Sequence, residues 1–284
     1  MAIRTSAKLL LFCIGISYLV SCGDKHADAQ LYLQNTREMY EKGNYDAAKA
    51  RIDSIQILFP KSFDQIKEGI ALLHDVRKAQ NQKTITYCDS VAEVLKPKVD
   101  SMKKLFSFQI NKDYEEMGRY MDKRYTGYIL NGTTLRPSVR EDGRLFLESV
   151  YVGAQKYHDR LKVSTKEGFF AETLPVTDDG LNFRFTDSGR QYEVIMFTGD
   201  DENGVSKFIT SYADHALTVS LQGKSITSYT LSKDAKNAVA DAYQLAVWMQ
   251  DLDSIKIKKE KAEMLIDYLN KQKAGELPGK EEIQ

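Results

Sequence analysis

The sequence predicts an α+β protein. It combines an N-terminal helical hairpin, long helices forming an antiparallel coiled-coil-like stalk, and an antiparallel β-meander domain between them. Three observations predict it. Apolar residues recur at helical spacing from residue 30 to 106. Turn dipeptides then arrive in series: Asn131-Gly132, Asp142-Gly143, Asp179-Gly180, Ser188-Gly189, Asn203-Gly204 and Gln222-Gly223. Helical spacing returns over residues 232–273. With 42% hydrophobic and 28% charged residues in 284, the chain can bury a core.

The start lies outside that fold. Arg4 and Lys8 are basic, and residues 9–20 (LLLFCIGISYLV) are apolar but too short for a spanning helix. Leu19, Val20 and Ser21 precede Cys22. This arrangement resembles the bacterial lipobox. The resemblance implies a signal peptide over residues 1–21, cleavage before Cys22, and acylation of its thiol and new amino group. It implies a membrane anchor made of lipid alone, and the whole sequence is read as an envelope lipoprotein of a Gram-negative bacterium, with the Bacteroidota type as one option. Gly23 follows Cys22 where an aspartate would suggest retention at the inner membrane, so the resemblance favours the outer membrane. Several acyl chains, at about 0.8 kcal/mol per buried methylene, make such an anchor stable. Residues 22–29 read as a polar tether. Cys13 leaves with the signal and Cys22 takes lipid, so Cys88 stands alone and is expected to be buried without a disulfide.

Formal charge balances at 40 basic against 40 acidic residues, and losing Arg4 and Lys8 leaves 38 against 40. That balance excludes a strongly basic nucleic-acid-binding face.

Residues 30–106 read as helices. Leu31, Tyr32, Met39 and Tyr40 mark the first, Gly43-Asn44 ends it, and Tyr45, Ala48, Ile52 and Ile55 face the second up to Pro60. Gly43, Tyr45, Ala48 and Pro60, with Tyr32 as an early aromatic, resemble a single tetratricopeptide repeat; Asn35 and Thr36 depart from its usual leucine and glycine. One copy does not build a solenoid, so the resemblance implies a hairpin capped by the next helix. That helix covers residues 62–81, with Ser62 as N-cap and Phe63, Ile66, Ile70, Leu73 and Val76 on one face.

A further helical pattern runs to residue 106, interrupted at Pro97. Cys88, Val91, Leu95, Lys98, Met102 and Leu105 form a heptad seam. A second seam joins Leu245, Trp248, Leu252, Ile255, Lys259, Ala262, Ile266 and Leu269 in the C-terminal helix over residues 232–273. Antiparallel pairing would set Leu105 near Leu245 and Cys88 toward Ala262. Residues 274–284 are a polar tail.

Between the seams, residues 107–231 read as the β domain. Residues 145–152, 160–165, 181–186, 192–198, 207–212 and 216–221 alternate or are rich in β-branched and aromatic residues. With no helix between them, they predict one antiparallel meander.

No chemical motif stands out. His26, His74, His158 and His215 share no metal-ligand spacing. GDDENG at 199–204 lacks the register of a calcium loop and reads as a solvated hairpin turn. No phosphate loop or G-x-S-x-G motif occurs. No catalytic residue, metal or cofactor is therefore expected. Tyrosines mixed with basic residues over 117–128 suit recognition, and Arg124, Tyr125 and Tyr128 are the candidate partner-binding residues. The reading is a non-catalytic envelope lipoprotein that binds a protein partner. A small-ligand or glycan binder and a hydrolase are its rivals.

Overall fold

The computed structural model describes residues 25–113, 115–125, 132–154, 157–176 and 182–275. The α+β class holds. The chain forms two compact units, Met1–Gln82 with Leu265–Gln284, and Lys83–Met264.

The first unit packs α1 (Lys25–Glu41), α2 (Tyr45–Leu58) and the start of α3 (Phe63–Lys103) around one apolar cluster. Helix α1 begins inside the expected tether, because Ala29 belongs to its buried stripe with Leu33 and Thr36. Leu31, expected to face inward, is exposed. Thr36 survives burial because its hydroxyl donates to the Tyr32 carbonyl (2.8 Å) and accepts from Arg51 Nε (3.2 Å). Arg51 also lies over the Tyr32 ring, 3.8 Å from its centroid. Tyr32 meets Phe59 edge-on at 5.6 Å, and Tyr40 meets Tyr45 at 6.1 Å. These contacts fix α1 and α2 as antiparallel neighbours.

The expected break near residue 81 is absent: α3 is one helix of 41 residues, and it runs on through Pro97. Its inner face also differs from expectation. Val76 is buried as expected, but Phe63 and Ile70 are exposed and Leu72 is buried instead. Gly69 is buried on the face that meets α2. A Cβ there would stand 3.5 Å from Ile55 Cγ2, in ordinary van der Waals contact with α2.

In the second unit, α3 runs antiparallel to α5 (Lys233–Lys273). Lys98 lies 5.7 Å from the Trp248 ring, Lys258 5.2 Å from the Tyr87 ring, and Lys259 bonds Asp89 at 2.6 Å. On α5 the expected positions are the sheltered ones, from buried Leu245 to Ala262 in this unit and at Ile266 and Leu269 in the first. On α3 the seam slips by one residue after Leu95. Val99 is buried, whereas Lys98 is exposed; the helix ends at Lys103, so Leu105, expected as the last seam residue, lies past it and is exposed. Cys88 and Val99, both buried, stand eleven residues apart, which is three turns of a straight helix, whereas a strict heptad needs supercoiling to hold its seam. Cys88 is a buried free thiol.

The strands form two sheets instead of the single meander expected. The larger has the order β1-β2-β3-β4-β8-β7, with β1 Phe106–Gln109, β2 Arg119–Asp122, β3 Thr134–Arg140, β4 Leu145–Gly153, β7 Phe183–Asp187 and β8 Arg190–Thr198. The smaller has the order β10-β9-β5-β6, with β5 His158–Ser164, β6 Phe170–Glu172, β9 Thr218–Gly223 and β10 Thr227–Thr230. All pairings are antiparallel. The reason for two layers is visible in β4, whose central residues are buried on both faces. A single layer would leave one face wet.

One face of β4 and β8 supplies Leu147, Tyr151, Ile195 and Phe197 to a core shared with Leu161, Val163, Val219 and Leu221 of the smaller sheet. Arginines shelter Phe146, which points the other way. Arg119 lies 4.5 Å from the Phe146 ring centroid, and Arg136 pairs with Glu148 directly across the ladder.

Residues 207–212, expected as a strand, belong to helix α4 (Val205–Ser211). The acidic stretch before it is a short 3-10 helix, Gly199–Glu202, not a hairpin turn. Glu202 accepts the backbone N–H groups of Gly204 and Ser206, which satisfies donors that the start of α4 leaves open. Val205 and Ile209, one turn apart, then enter the core. The Ser188-Gly189 hairpin between β7 and β8 forms as the dipeptide predicts, with φ of 49° and 76° at its two turn residues.

Candidate functional site

The chemistry-bearing residues that the fold brings together are Ser149, His158 and Glu193. Ser149 sits on β4, opposite Ile195 of β8, and Glu193 lies two residues along β8, opposite Tyr151. Period-two alternation therefore puts Ser149 and Glu193 on the same inward face. His158 opens β5 in the other sheet.

His158 Nδ1 lies 2.7 Å from Glu193 Oε2, and its Nε2 lies 3.0 Å from Ser149 Oγ. With the proton on Nδ1, the imidazole donates to the carboxyl group and accepts from the serine hydroxyl. Glu193 also accepts the backbone N–H groups of Tyr157 (2.6 Å) and His158 (3.1 Å).

Local backbone geometry makes this meeting possible. Tyr157 has a φ of 55°, in the left-handed region that side chains rarely occupy. The β5–β9 register shifts between His158 and Arg160, a bulge that re-aims the strand. Gly223 lies opposite His158, and a Cβ there would stand 2.1 Å from the Tyr157 carbonyl oxygen. The corner needs glycine at 223. Arg184 Nη2 donates to the His158 carbonyl at 3.3 Å and closes it from β7.

Hydroxyl, imidazole and carboxyl stand in the order that activates a serine nucleophile. Burial sets the limit on that chemistry. Ser149 and His158 have no exposed surface and Glu193 is 1% exposed, so no substrate carbonyl reaches Ser149 in this conformation. As it stands, the constellation ties β4, β8 and β5 across the two sheets.

The residues expected to bind a partner lie elsewhere. Arg124, in a 3-10 turn (Lys123–Tyr125) after β2, bonds both oxygens of buried Asp122 (2.8 and 2.6 Å) and also pairs with Asp241 of α5. The Asp122 bonds, more than any other contact, hold its guanidinium in the charged form. Tyr125 is half-buried, and burial raises its pKa although its hydroxyl bonds Thr134. Both side chains are thus engaged within the fold. Tyr128 and Cys22 lie outside the described residues.

A groove of about 530 Å³ lies between α3 and α5. Cys88, Ala92, Val99, Met249, Leu252 and Ile255 form its apolar lining, and Lys96, Lys256 and Asp253 are among the charged residues beside them. Among the described residues, no group of three or more His, Cys, Asp or Glu is placed to hold a metal ion. No helix among them is long and apolar enough to cross a membrane. Comparison with known protein families, curated proteins and solved structures finds no match to this chain.

His158 stands two residues before the strand expected at 160–165, and its partners were not anticipated. One signal pointed to them. Glu193 shares its strand parity with Ile195 and Phe197, and Ser149 shares its parity with Leu147 and Tyr151. Polar residues on an apolar face must pair inside.

Proposed function

We propose that this chain is a lipid-anchored envelope protein that works by binding another envelope protein, without catalysis. The anchor rests on the basic start, residues 9–20 and the LVSC stretch ending at Cys22. The observation that carries the binding reading is where the exposed rings lie. β7 is an outermost strand of the larger sheet and presents Phe183 and Phe185, 53% and 45% exposed. An outermost strand carries backbone donors and acceptors that an extended segment of a partner can pair, with rings beside them to give specificity. Reading α3 and α5 as a coiled-coil-like stalk, and α1 with α2 as a tetratricopeptide-like hairpin, belongs to the same proposal.

The test is a crosslinking pull-down from intact cells, with mass spectrometry of the mature N-terminus in parallel. Acylated Cys22 is expected. Phe183→Ser with Phe185→Ser should remove the crosslinked partner and leave circular dichroism unchanged. An unaltered set of partners would exclude this edge, and an intact Met1 would exclude the anchor. A hydrolase is the second reading, favoured by the Ser149–His158–Glu193 order. Ester turnover abolished by Ser149→Ala in a folded protein would establish it in place of the first.

A further inference from the structure

The first unit ends in an apolar surface close to the anchoring position. Helix α2 finishes at Leu58 and α3 begins at Phe63. Around this turn Ile57, Leu58 and Phe63 are 76%, 54% and 74% exposed, and Leu31 of α1 is 57% exposed. They share one end of the unit. The Tyr32 ring meets Phe59, and Gln30 accepts from Gln65 Nε2 at 3.3 Å, so the first turns of α1 lie beside the α2–α3 turn. The opposite end is the α1–α2 turn at Gly43.

Chain length then connects this end to the lipid. From Cys22 to Lys25 is three peptide steps, which span at most about 11 Å even when fully extended. From Lys25 to Leu31 the helix rises about 9 Å. An acylated Cys22 would therefore hold the start of α1 within about 11 Å of the bilayer, with the Ile57–Leu58–Phe63 turn beside it.

We infer that this end of the first unit seats Leu31, Ile57, Leu58 and Phe63 on the phospholipid surface, as a second contact beside the lipid anchor. The inference rests on the lipid-anchor reading above. The occupant is a membrane and not a soluble partner, because a chain tethered three residues away meets the bilayer first. Exposed charges at this turn are of both signs, Lys61 and Lys67 against Asp64 and Glu68. The contact is accordingly apolar and not electrostatic.

The experiment uses the acylated full-length protein in vesicles of phosphatidylethanolamine and phosphatidylglycerol containing dibrominated acyl chains. Trp248 is replaced by Phe, and a single tryptophan is placed by Phe63→Trp or, at the far end of the unit, by Lys42→Trp. Both positions are exposed, so folding is retained. The Phe63→Trp emission should shift to the blue and be lost to bromine quenching, while that of Lys42→Trp stays red-shifted and unquenched. Raising ionic strength to about 1 M, where the Debye length is about 3 Å, should leave the quenching unchanged. Acylated Cys22 with an unquenched Phe63→Trp, or with equal quenching at both positions, overturns the seating alone. An unacylated Cys22 overturns the anchor reading and the seating together.

Discussion

His158 has no exposed surface, so both ring nitrogens must find partners inside the fold. Glu193 and Ser149 supply them, and Glu193 takes two backbone donors besides. The carboxyl group is thus the hub and the serine a terminus. Replacing Ser149 by alanine orphans one acceptor, and should cost about 1–3 kcal/mol of unfolding free energy. Replacing Glu193 by alanine orphans three donors at once and should cost more, at least about 3 kcal/mol on the same scale. Urea denaturation of the two variants measures the difference. Equal costs would mean that the carboxyl group is not the hub. Part of this was legible, since strand parity alone puts Glu193 inward. Its meeting with His158 was not, because that depends on the positive φ of Tyr157 and the close backbone approach that only glycine permits at 223. No periodicity encodes either feature.

Elements were read best where one local rule governs them. Ser188-Gly189 makes its hairpin because two consecutive positive φ angles suit that dipeptide. The burial stripe of α5 follows the spacing from Leu245 to Leu269. Residues 207–212 fail as a strand because short runs of mixed polarity fit either period, and Glu202 decides for helix by satisfying its first turn. The α3 seam fails after Leu95 because a heptad template assumes a supercoil that this helix does not follow to its end. Past the helix end at Lys103, Leu105 is 46% exposed, while Phe106, which opens β1, is 5% exposed. Phe106→Ala should cost about 3–5 kcal/mol, and Leu105→Ala about 0.5 kcal/mol or less. Thermal unfolding of both variants reads the contrast directly. A larger loss at Leu105 would mean that Leu105, and not Phe106, is the side chain the core holds.

At the scale of the whole molecule, layering was the least legible feature. Ladder partners in β4 and β8, such as Phe146 and Thr198, or in β5 and β9, such as His158 and Gly223, are far apart in the chain, and turn chemistry carries no information about which sheet a strand will join. The same holds for the division into two units, whose boundaries fall inside α3 and α5 and not at loops. Continuous helices suggest one cooperative body, but buried contacts argue otherwise. The cluster built on Leu33, Ala48, Ile52, Ile55, Leu72 and Val76 lies wholly in the first unit, and the two other clusters lie wholly in the second. Helical hydrogen bonds reach only four residues, so they transmit little stability across a boundary that no core cluster of the described residues spans. Ile52→Ala should therefore open the first unit selectively. A loss of about 2–5 kcal/mol there corresponds to amide exchange at least about thirtyfold faster. Hydrogen exchange read by mass spectrometry should show that acceleration in α1 and α2, with β4 and β8 unchanged. Equal acceleration in the sheets would mean that the helices couple the two units into one unfolding transition.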